Sequence, residues 1–219
     1  MNFLIIIPAY NEAKKIVEVI DDLKNNGFNN ILIINDGSTD ETGVLIENYG
    51  VMFLTHQINR GQGAAIKTGI NFAIDKKYEA VIFFDADGQM LAQEINNFIA
   101  KLNEGYEVVL GSRNLGKSID MPFLKSVIKK IALIFTRFVS GLNLTDTHNG
   151  FQAWKVSALS KINLTQDRFA YASELINEIS RLKLKYTEIP VCIKYTLYSR
   201  SKGQKISGLF RILWDLLIK

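Results

Sequence analysis

Several short runs of this chain are apolar at nearly every position rather than at every second one. Asn2 to Ile7 (NFLIII), Ile31 to Ile34 (ILII), Val51 to Leu54 (VMFL) and Ala80 to Phe84 (AVIFF) all have this form. A run of that kind predicts a strand buried on both faces, as in a parallel sheet covered on either side. Between the runs the apolar positions change to helical spacing. Ile16, Val17, Val19, Ile20 and Leu23 form one such set, closed by Gly27. The turn Asn35 to Asp40 supplies Ser, Thr and Asp residues suited to capping the helix after it. Further helices are predicted from about Ala64 to Lys76 and from Gln93 to Asn103, then a strand over Glu107 to Ser112. Strands alternating with helices predict the α/β class: a mostly parallel central sheet with helices on both faces, in a single domain. The second half is less regular. It offers a long helical segment over 122–140, a loop Asp146 to Trp154 leading into a strand, a helix near Ala172 to Leu182, and a strand over 186–196. A basic loop and a short amphipathic tail, Leu209 to Ile218, complete it.

Composition narrows this picture. The chain has 219 residues, 47% of them hydrophobic, which is enough for one sizeable core. Its formal charge of +4 is unevenly spread. The first hundred residues are mixed to acidic, whereas the chain from Arg113 onward is rich in Lys and Arg, which points to an anionic partner for that half. Cys192 is the single cysteine, so no intrachain disulfide forms; in its apolar run it reads as a small buried hydrophobe. No leader pattern opens the sequence and no apolar stretch is long enough to span a bilayer. The expectation is a cytoplasmic protein, either free or peripheral on a membrane surface.

The chemistry gathers at the strand ends. The run ending at Phe84 leads directly into Asp85-Ala86-Asp87-Gly88-Gln89, two carboxylates one residue apart. Such a pair at the C-terminal edge of a parallel strand calls for a cation, and a divalent ion carrying a phosphate-bearing substrate fits. Tyr10-Asn11-Glu12 and Asp36-Gly37-Ser38 follow two other strands, and these ends converge on one crevice in a doubly wound sheet. Between them lies Asn59-Arg60-Gly61-Gln62-Gly63, with Lys67 one turn into the next helix and placed to reach an anionic group. The loop is neither a P-loop nor a dinucleotide fingerprint.

Six ordered motifs, PAYNE (8–12), NDGS (35–38), NRGQGAAIKTG (59–69), DADGQ (85–89), GSRN (111–114) and DTHNGFQAW (146–154), resemble those of the family 2 inverting glycosyltransferases of GT-A fold. Within that family the polyprenyl-phosphate sugar transferases are the nearest match. The resemblance implies that Pro8, Tyr10, Glu12 and Asp36 hold the base and ribose of a nucleotide sugar and that Asp85 faces the nucleotide. It implies that Asp87 and Gln89 ligate Mg²⁺ or Mn²⁺ on the diphosphate, with Asp87 catalytic. Arg113 matches a position that contacts an acceptor phosphate, and Lys125 and Lys129 match further basic positions. Arg200, Lys202 and Lys205 lie where relatives have a basic loop over the diphosphate; there they would stabilise the leaving group. The implied halves are 1–112 for the donor and 113–219 for the acceptor. The implied partners are a nucleotide sugar, a polyprenyl phosphate and a membrane surface, with no nucleic acid. Asn35 in place of a family Asp leaves the base open. Met90-Leu91 and His148-Asn149 are further departures.

Two features bear on the acceptor. At 100° steps from Phe123, the residues Phe123, Leu124, Val127, Ile128, Ile131, Ile134, Phe135, Phe138 and Val139 share one half. Lys125, Lys129, Lys130, Thr136, Arg137 and Ser140 share the other, with Leu133 intruding. That arrangement suits either a membrane-surface helix or a helix packed on the sheet. A phosphate acceptor is already ionised and needs no general base, whereas a saccharide hydroxyl needs one, for which Asp146 and Glu174 are candidates. His56 and His148 read as hydrogen-bonded loop residues. Transfer to a saccharide hydroxyl, a sugar-nucleotide-forming nucleotidyltransferase and a non-catalytic binding module stay open as alternatives.

Overall fold

The computed structural model describes residues 1–119, 123–147, 149–195 and Tyr198. Four parallel strands come from the continuous apolar runs: β1 (Phe3–Ala9), β2 (Ile31–Asn35), β3 (Met52–Thr55) and β4 (Ala80–Phe83). Helices α1 (Ile16–Asn25), α2 (Thr42–Asn48) and α3 (Gln62–Asp75) connect them. A 3₁₀ turn at Ala92–Glu94 and α4 (Ile95–Asn103) then lead to β5 (Val108–Ile119). The second half adds α5 (Phe123–Ser140), β6 (Gln152–Lys155), α6 (Val156–Leu159), α7 (Tyr171–Arg181) and β7 (Tyr186–Lys194).

The sheet runs β3-β2-β1-β4-β6-β5-β7. Only β6 is reversed, antiparallel to both β4 and β5, while β5 and β7 pair in parallel. The expected mostly parallel α/β architecture is therefore the observed one.

Alternation within the apolar runs explains them. Ile5 and Ile7, Ile31 and Ile33, Ile82 and Phe84 enter one core with α1, α2 and α4. Leu4 and Ile6, Leu32 and Ile34, Val81 and Phe83 enter the other with α3, α6 and α7. In β1, β2 and β4 nearly every residue leaves water, which is why those runs are apolar; β3 departs from the expectation, because it forms the edge of the sheet and Met52–Thr55 are all exposed.

Two further elements differ from expectation. β5 continues past Ser112 to Ile119, with a register shift between Ser112 and Lys117, and pairs with β7 through Lys117↔Cys192 and Ile119↔Lys194. The extension mixes exposed and half-buried positions, so it lacks the all-apolar signature of the core strands. Cys192 is half-buried there rather than enclosed. α5 has the expected bounds, but it packs through its polar side. Thr136 and Ser140 are buried, while Ile131, Ile134, Phe138 and Val139 are exposed. The residues of the amphipathic tail lie outside those described.

Candidate active site

β2, β1 and β4 are neighbours, so their C-terminal ends open onto one crevice, as the polar clusters predicted. Two of the loops are stitched together. Asn11, at φ 55°, accepts the Thr39 backbone N–H at 2.8 Å through its side-chain oxygen, and the Asn11 and Glu12 backbone N–H groups donate to the Ser38 and Thr42 hydroxyls. Glu12 is half-buried and Tyr10 is exposed; Pro8 lies in β1 opposite Ile34.

Asp36 is 2% exposed and its carboxylate accepts four hydrogen bonds: from His56 Nδ1 (2.7 Å), Asn59 Nδ2 (2.9 Å) and the backbone N–H groups of Arg60 (3.0 Å) and Gly61 (2.7 Å). It therefore anchors the loop between β3 and α3, a task its strand-end position alone did not reveal. His56 Nε2 meets the Thr68 hydroxyl at 2.9 Å, which makes His56 the hydrogen-bonded loop residue expected. Gly37, at φ +68°, lies where a Cβ would come within 2.6 Å of the Ile58 and Asn59 backbone, so only glycine lets the two loops close.

Gln62, at the start of α3, donates through Nε2 to Asp85 Oδ1 at 3.0 Å. A Cβ at Gly150 would stand 2.6 Å from Asp85 Oδ2, so the loop before β6 forms the wall against this carboxylate. Burial pushes the Asp85 carboxyl up to about 7, and the charges of Asp87 and Glu12 push it in the same direction. The Gln62 hydrogen bond and the Arg113 charge pull against that rise. Three carboxylates thus crowd one end of the crevice, and a cation there relieves their repulsion. Asp87 Oδ1 accepts the Gln89 backbone N–H at 3.1 Å, and the Gln89 amide nitrogen donates to the Lys194 carbonyl at 3.2 Å. Tyr198 donates to Glu12 Oε2 at 2.7 Å.

Carboxylate and amide oxygens suit a hard divalent ion such as Mg²⁺ or Mn²⁺. Among the described residues no three His, Cys, Asp or Glu side chains form a closed metal cage. An ion at Asp87 and Gln89 would complete its shell with substrate phosphate oxygens and water, the usual habit of Mg²⁺ at phosphate sites.

The second polar group is Arg113, 8% exposed, where the core part of β5 ends. Its Nη2 donates to Asp146 Oδ1 and to the Thr147 carbonyl, each at 2.7 Å. Its Nε and backbone N–H both donate to Asp146 Oδ2. Burial opposes the guanidinium charge, and the Asp146 carboxylate outweighs that effect, so the net shift favours the charged form. Asp146 also accepts the Thr147 N–H at 2.8 Å. With four donors on one carboxylate, the geometry makes Asp146 a clamp on Arg113 rather than a base facing a hydroxyl. Behind it, Glu188 accepts the N–H groups of Thr145 (2.7 Å) and Asp146 (3.1 Å), and burial pushes the Glu188 carboxyl up.

The structure takes two other candidates elsewhere. The Lys67 ammonium donates to the Leu164 carbonyl at 2.7 Å and lines a cavity of about 150 Å³ between α3 and α6, with Asn71 and Leu159. Glu174 caps backbone, accepting the N–H groups of Thr165 and Gln166. Lys125 and Lys129 fall on α5, with side chains outside those described. His148, Arg200, Lys202 and Lys205 also lie outside the described residues. Sequence reasoning missed Gln62, Asn59 and Glu188. Gln62 sits inside a glycine-rich loop already singled out, but no local pattern marks Glu188.

The sequence model of glycosyl transferase family 2 matches residues 4–162. The UDP-N-acetylglucosamine–dolichyl-phosphate N-acetylglucosaminyltransferase of Methanococcus voltae is 32% identical, over 98% of this chain and 94% of that protein. The polyprenol monophosphomannose synthase of Mycolicibacterium smegmatis is 28% identical, over 94% of this chain and 81% of that one. Among solved structures, glucosyl-3-phosphoglycerate synthase from Mycobacterium tuberculosis, in complex with Mn²⁺ and UDP-glucose, superposes with a TM-score of 0.73. That likeness spans 99% of this chain and 76% of the other at 16% identity, and it shows a shared fold.

Proposed function

The chain belongs to glycosyl transferase family 2, and we propose that it transfers a hexose from a nucleotide sugar to a polyprenyl phosphate, with inversion, at the cytoplasmic face of a membrane. Membership of that family sets aside the nucleotidyltransferase and binding-module readings. One observation carries the proposal. The carboxylates at the end of β4 and a buried, clamped arginine in β5 are joined by one loop: its Gly150 lies against Asp85 and its Asp146 pairs with Arg113. The first suits a metal-bound diphosphate and the second an acceptor phosphate. Relatives named for dolichyl, polyprenol and undecaprenyl phosphate add support.

In this reading residues 1–112 hold the donor and residues 113–219 the acceptor. Asp87 and Gln89 hold Mg²⁺ or Mn²⁺, which when bound offsets the charge of the departing nucleoside diphosphate. Pro8, Tyr10 and Glu12 border the nucleotide, and Asp36 acts through the loop it anchors. Arg113 draws in the acceptor phosphate and fixes one of its oxygens toward the anomeric carbon. That oxygen attacks from the face opposite the diphosphate, the new C–O bond forms as the old one breaks, and the configuration inverts. The phosphate is ionised at neutral pH, so catalysis is positioning plus electrostatic stabilisation. The pairing of Asp146 with Arg113 favours this over a hydroxyl acceptor, which would need that carboxylate as its base.

The test is nucleoside diphosphate release across a panel of donors, with and without polyprenyl phosphate. Release that depends on polyprenyl phosphate for one donor is the expected result. Release that requires a saccharide acceptor and ignores polyprenyl phosphate overturns the proposal.

A further inference from the structure

We infer that Glu188 is a positioning residue for the acceptor phosphate: its carboxylate holds the loop 145–147 where Asp146 and Thr147 aim the Arg113 guanidinium. This deepens the function proposed above and rests on its phosphate acceptor.

The donors of Arg113 show which atom is left for a ligand. A guanidinium has five N–H groups. Nε donates to Asp146, and Nη2 donates to Asp146 and to the Thr147 carbonyl. Nη1 has, among the described residues, a single long contact of 3.4 Å to the Tyr195 hydroxyl. Nη1 is therefore the edge that can turn a charge-assisted hydrogen bond toward a phosphate oxygen. Its direction is set by the two residues that grip the other edge, and both belong to the loop before β6. β5 itself does not set it. Its pairing with β7 loses register after Ser112, and a side chain beyond such a break is no longer oriented by the regular pleat.

Glu188 fixes that loop from behind. It pairs in register with Leu110, so it shares a sheet face with Leu110 and with Ser112 two residues on. Its two carboxylate oxygens accept consecutive backbone N–H groups, one from Thr145 at 2.7 Å and the other from Asp146 at 3.1 Å. The Ser112 and Thr145 hydroxyls meet at 2.7 Å, and the Asn114 amide donates to the Thr145 carbonyl. Thr145 is thus held through its N–H, hydroxyl and carbonyl, and residues 146 and 147 continue from a fixed point.

A simple tie needs only an acceptor, and a neutral one avoids enclosing a charge. Glu188 is half-buried, has no cation paired with it among the described residues, and stands beside the like charge of Asp146. A carboxylate still does what its amide cannot. Two equivalent oxygens accept both N–H groups at once, whereas a glutamine in the same space turns its own N–H toward one of them. The charge therefore fixes the orientation of the peptide as well as its distance.

The experiment compares Glu188→Ala and Glu188→Gln with wild type, using farnesyl phosphate as a short polyprenyl phosphate and the donor that supports transfer. Glu188→Ala should raise the acceptor KM by about tenfold or more, and Glu188→Gln by roughly threefold. The donor KM should stay at the wild-type value in both. A merely structural role would lower the amount of active enzyme, and so kcat, while leaving both KM values alone. Two-dimensional NMR of the Arg113 Nε–H supplies a readout independent of the acceptor, and its exchange with solvent should quicken in Glu188→Ala. Glutamine fills the same space, so Glu188→Gln carries the test if the alanine variant does not fold. An unchanged acceptor KM, or a donor KM that rises in step with it, overturns the inference. If the wild type transfers sugar only to a saccharide hydroxyl, the proposed acceptor fails and the Arg113 signal decides. Quicker exchange then keeps Glu188 as the residue that positions Arg113, and unchanged exchange overturns that role.

Discussion

The two halves of this molecule treat apolar residues in opposite ways. In β1, β2 and β4, alternate residues of each strand enter two cores and the polar residues collect where the strands stop. In α5, Thr136 and Ser140 are buried while the large apolar residues Ile131, Ile134, Phe138 and Val139 are exposed. Hydrophobic periodicity tells which residues share a face. It does not tell which way the face points, because that depends on what else is available to cover it. For β1, β2 and β4 the sheet fixes the answer, since both faces of these interior parallel strands are covered. In the second half, the Thr136–Thr147 contact and the packed Leu133 hold α5 by its polar side.

Four measurements would break or sharpen this contrast. Asp87→Ala should lower turnover on the order of a thousandfold or more, because the half-exposed carboxylate acts on the ligand rather than on the fold. Chelation with EDTA should reproduce that loss, and the urea midpoint of the variant should stay near wild type. An Asp87→Ala protein that turns over normally would dissociate the carboxylate cluster from the chemistry.

Asp146→Ala should cost stability rather than metal affinity. It leaves Arg113 as a buried, unpaired cation, which destabilises by about 3–5 kcal/mol. Urea denaturation measures this, and Arg113→Lys should raise the acceptor KM, because an ammonium cannot reproduce the bidentate fork that Asp146 holds in place.

Asp36→Ala removes the acceptor of four donors and should cost roughly 2–3 kcal/mol, with the loop between β3 and α3 gaining protease sensitivity. Cleavage no faster than in wild type would show that the loop is held by other contacts.

The smallest effect concerns Glu188. Burial raises its carboxyl pKa in the folded protein, so the folded state holds that proton to higher pH than the unfolded chain does. Its contribution is full at low pH and diminishes as pH rises from the ordinary glutamate value through the raised one. Glu188→Gln should flatten that part of the pH–stability curve. An unchanged slope would place the titration on another group.

These residues also mark what was legible beforehand. Glu12, Asp85 and Asp87 could be grouped from sequence because each follows an apolar run, and parallel neighbours bring such ends together. The extra role of Asp36 was hidden because its partners His56, Asn59 and Gly61 lie 20 to 25 positions further on. Arg113 and Asp146 were each singled out, but nothing in a sequence says that residues 33 apart will clasp one another and so take Asp146 away from base chemistry. Lys67 misled because the helical turn after a glycine-rich loop shows how close a lysine starts to a crevice, not the direction in which its side chain leaves. The β5 extension was unreadable for a plainer reason: paired with β7 over Lys117–Ile119, it mixes exposed and half-buried side chains and has no reason to be apolar throughout.

The reversed strand β6 has a consequence for the order of assembly. The sheet β3-β2-β1-β4 is complete once residues to Phe83 are available, all from local parallel crossovers. β5 has no neighbour among them. Its flanking strands are β6 and β7, both later in the chain, so it stays unpaired until Gln152–Lys155 inserts beside β4. The same insertion delivers Gly150 to Asp85 and Asp146 to Arg113. During synthesis from the N-terminus, the nucleotide side of the crevice can exist as folded structure while its opposite wall is still being made. The two are then joined in one late, non-local step, the kind that sets a folding rate.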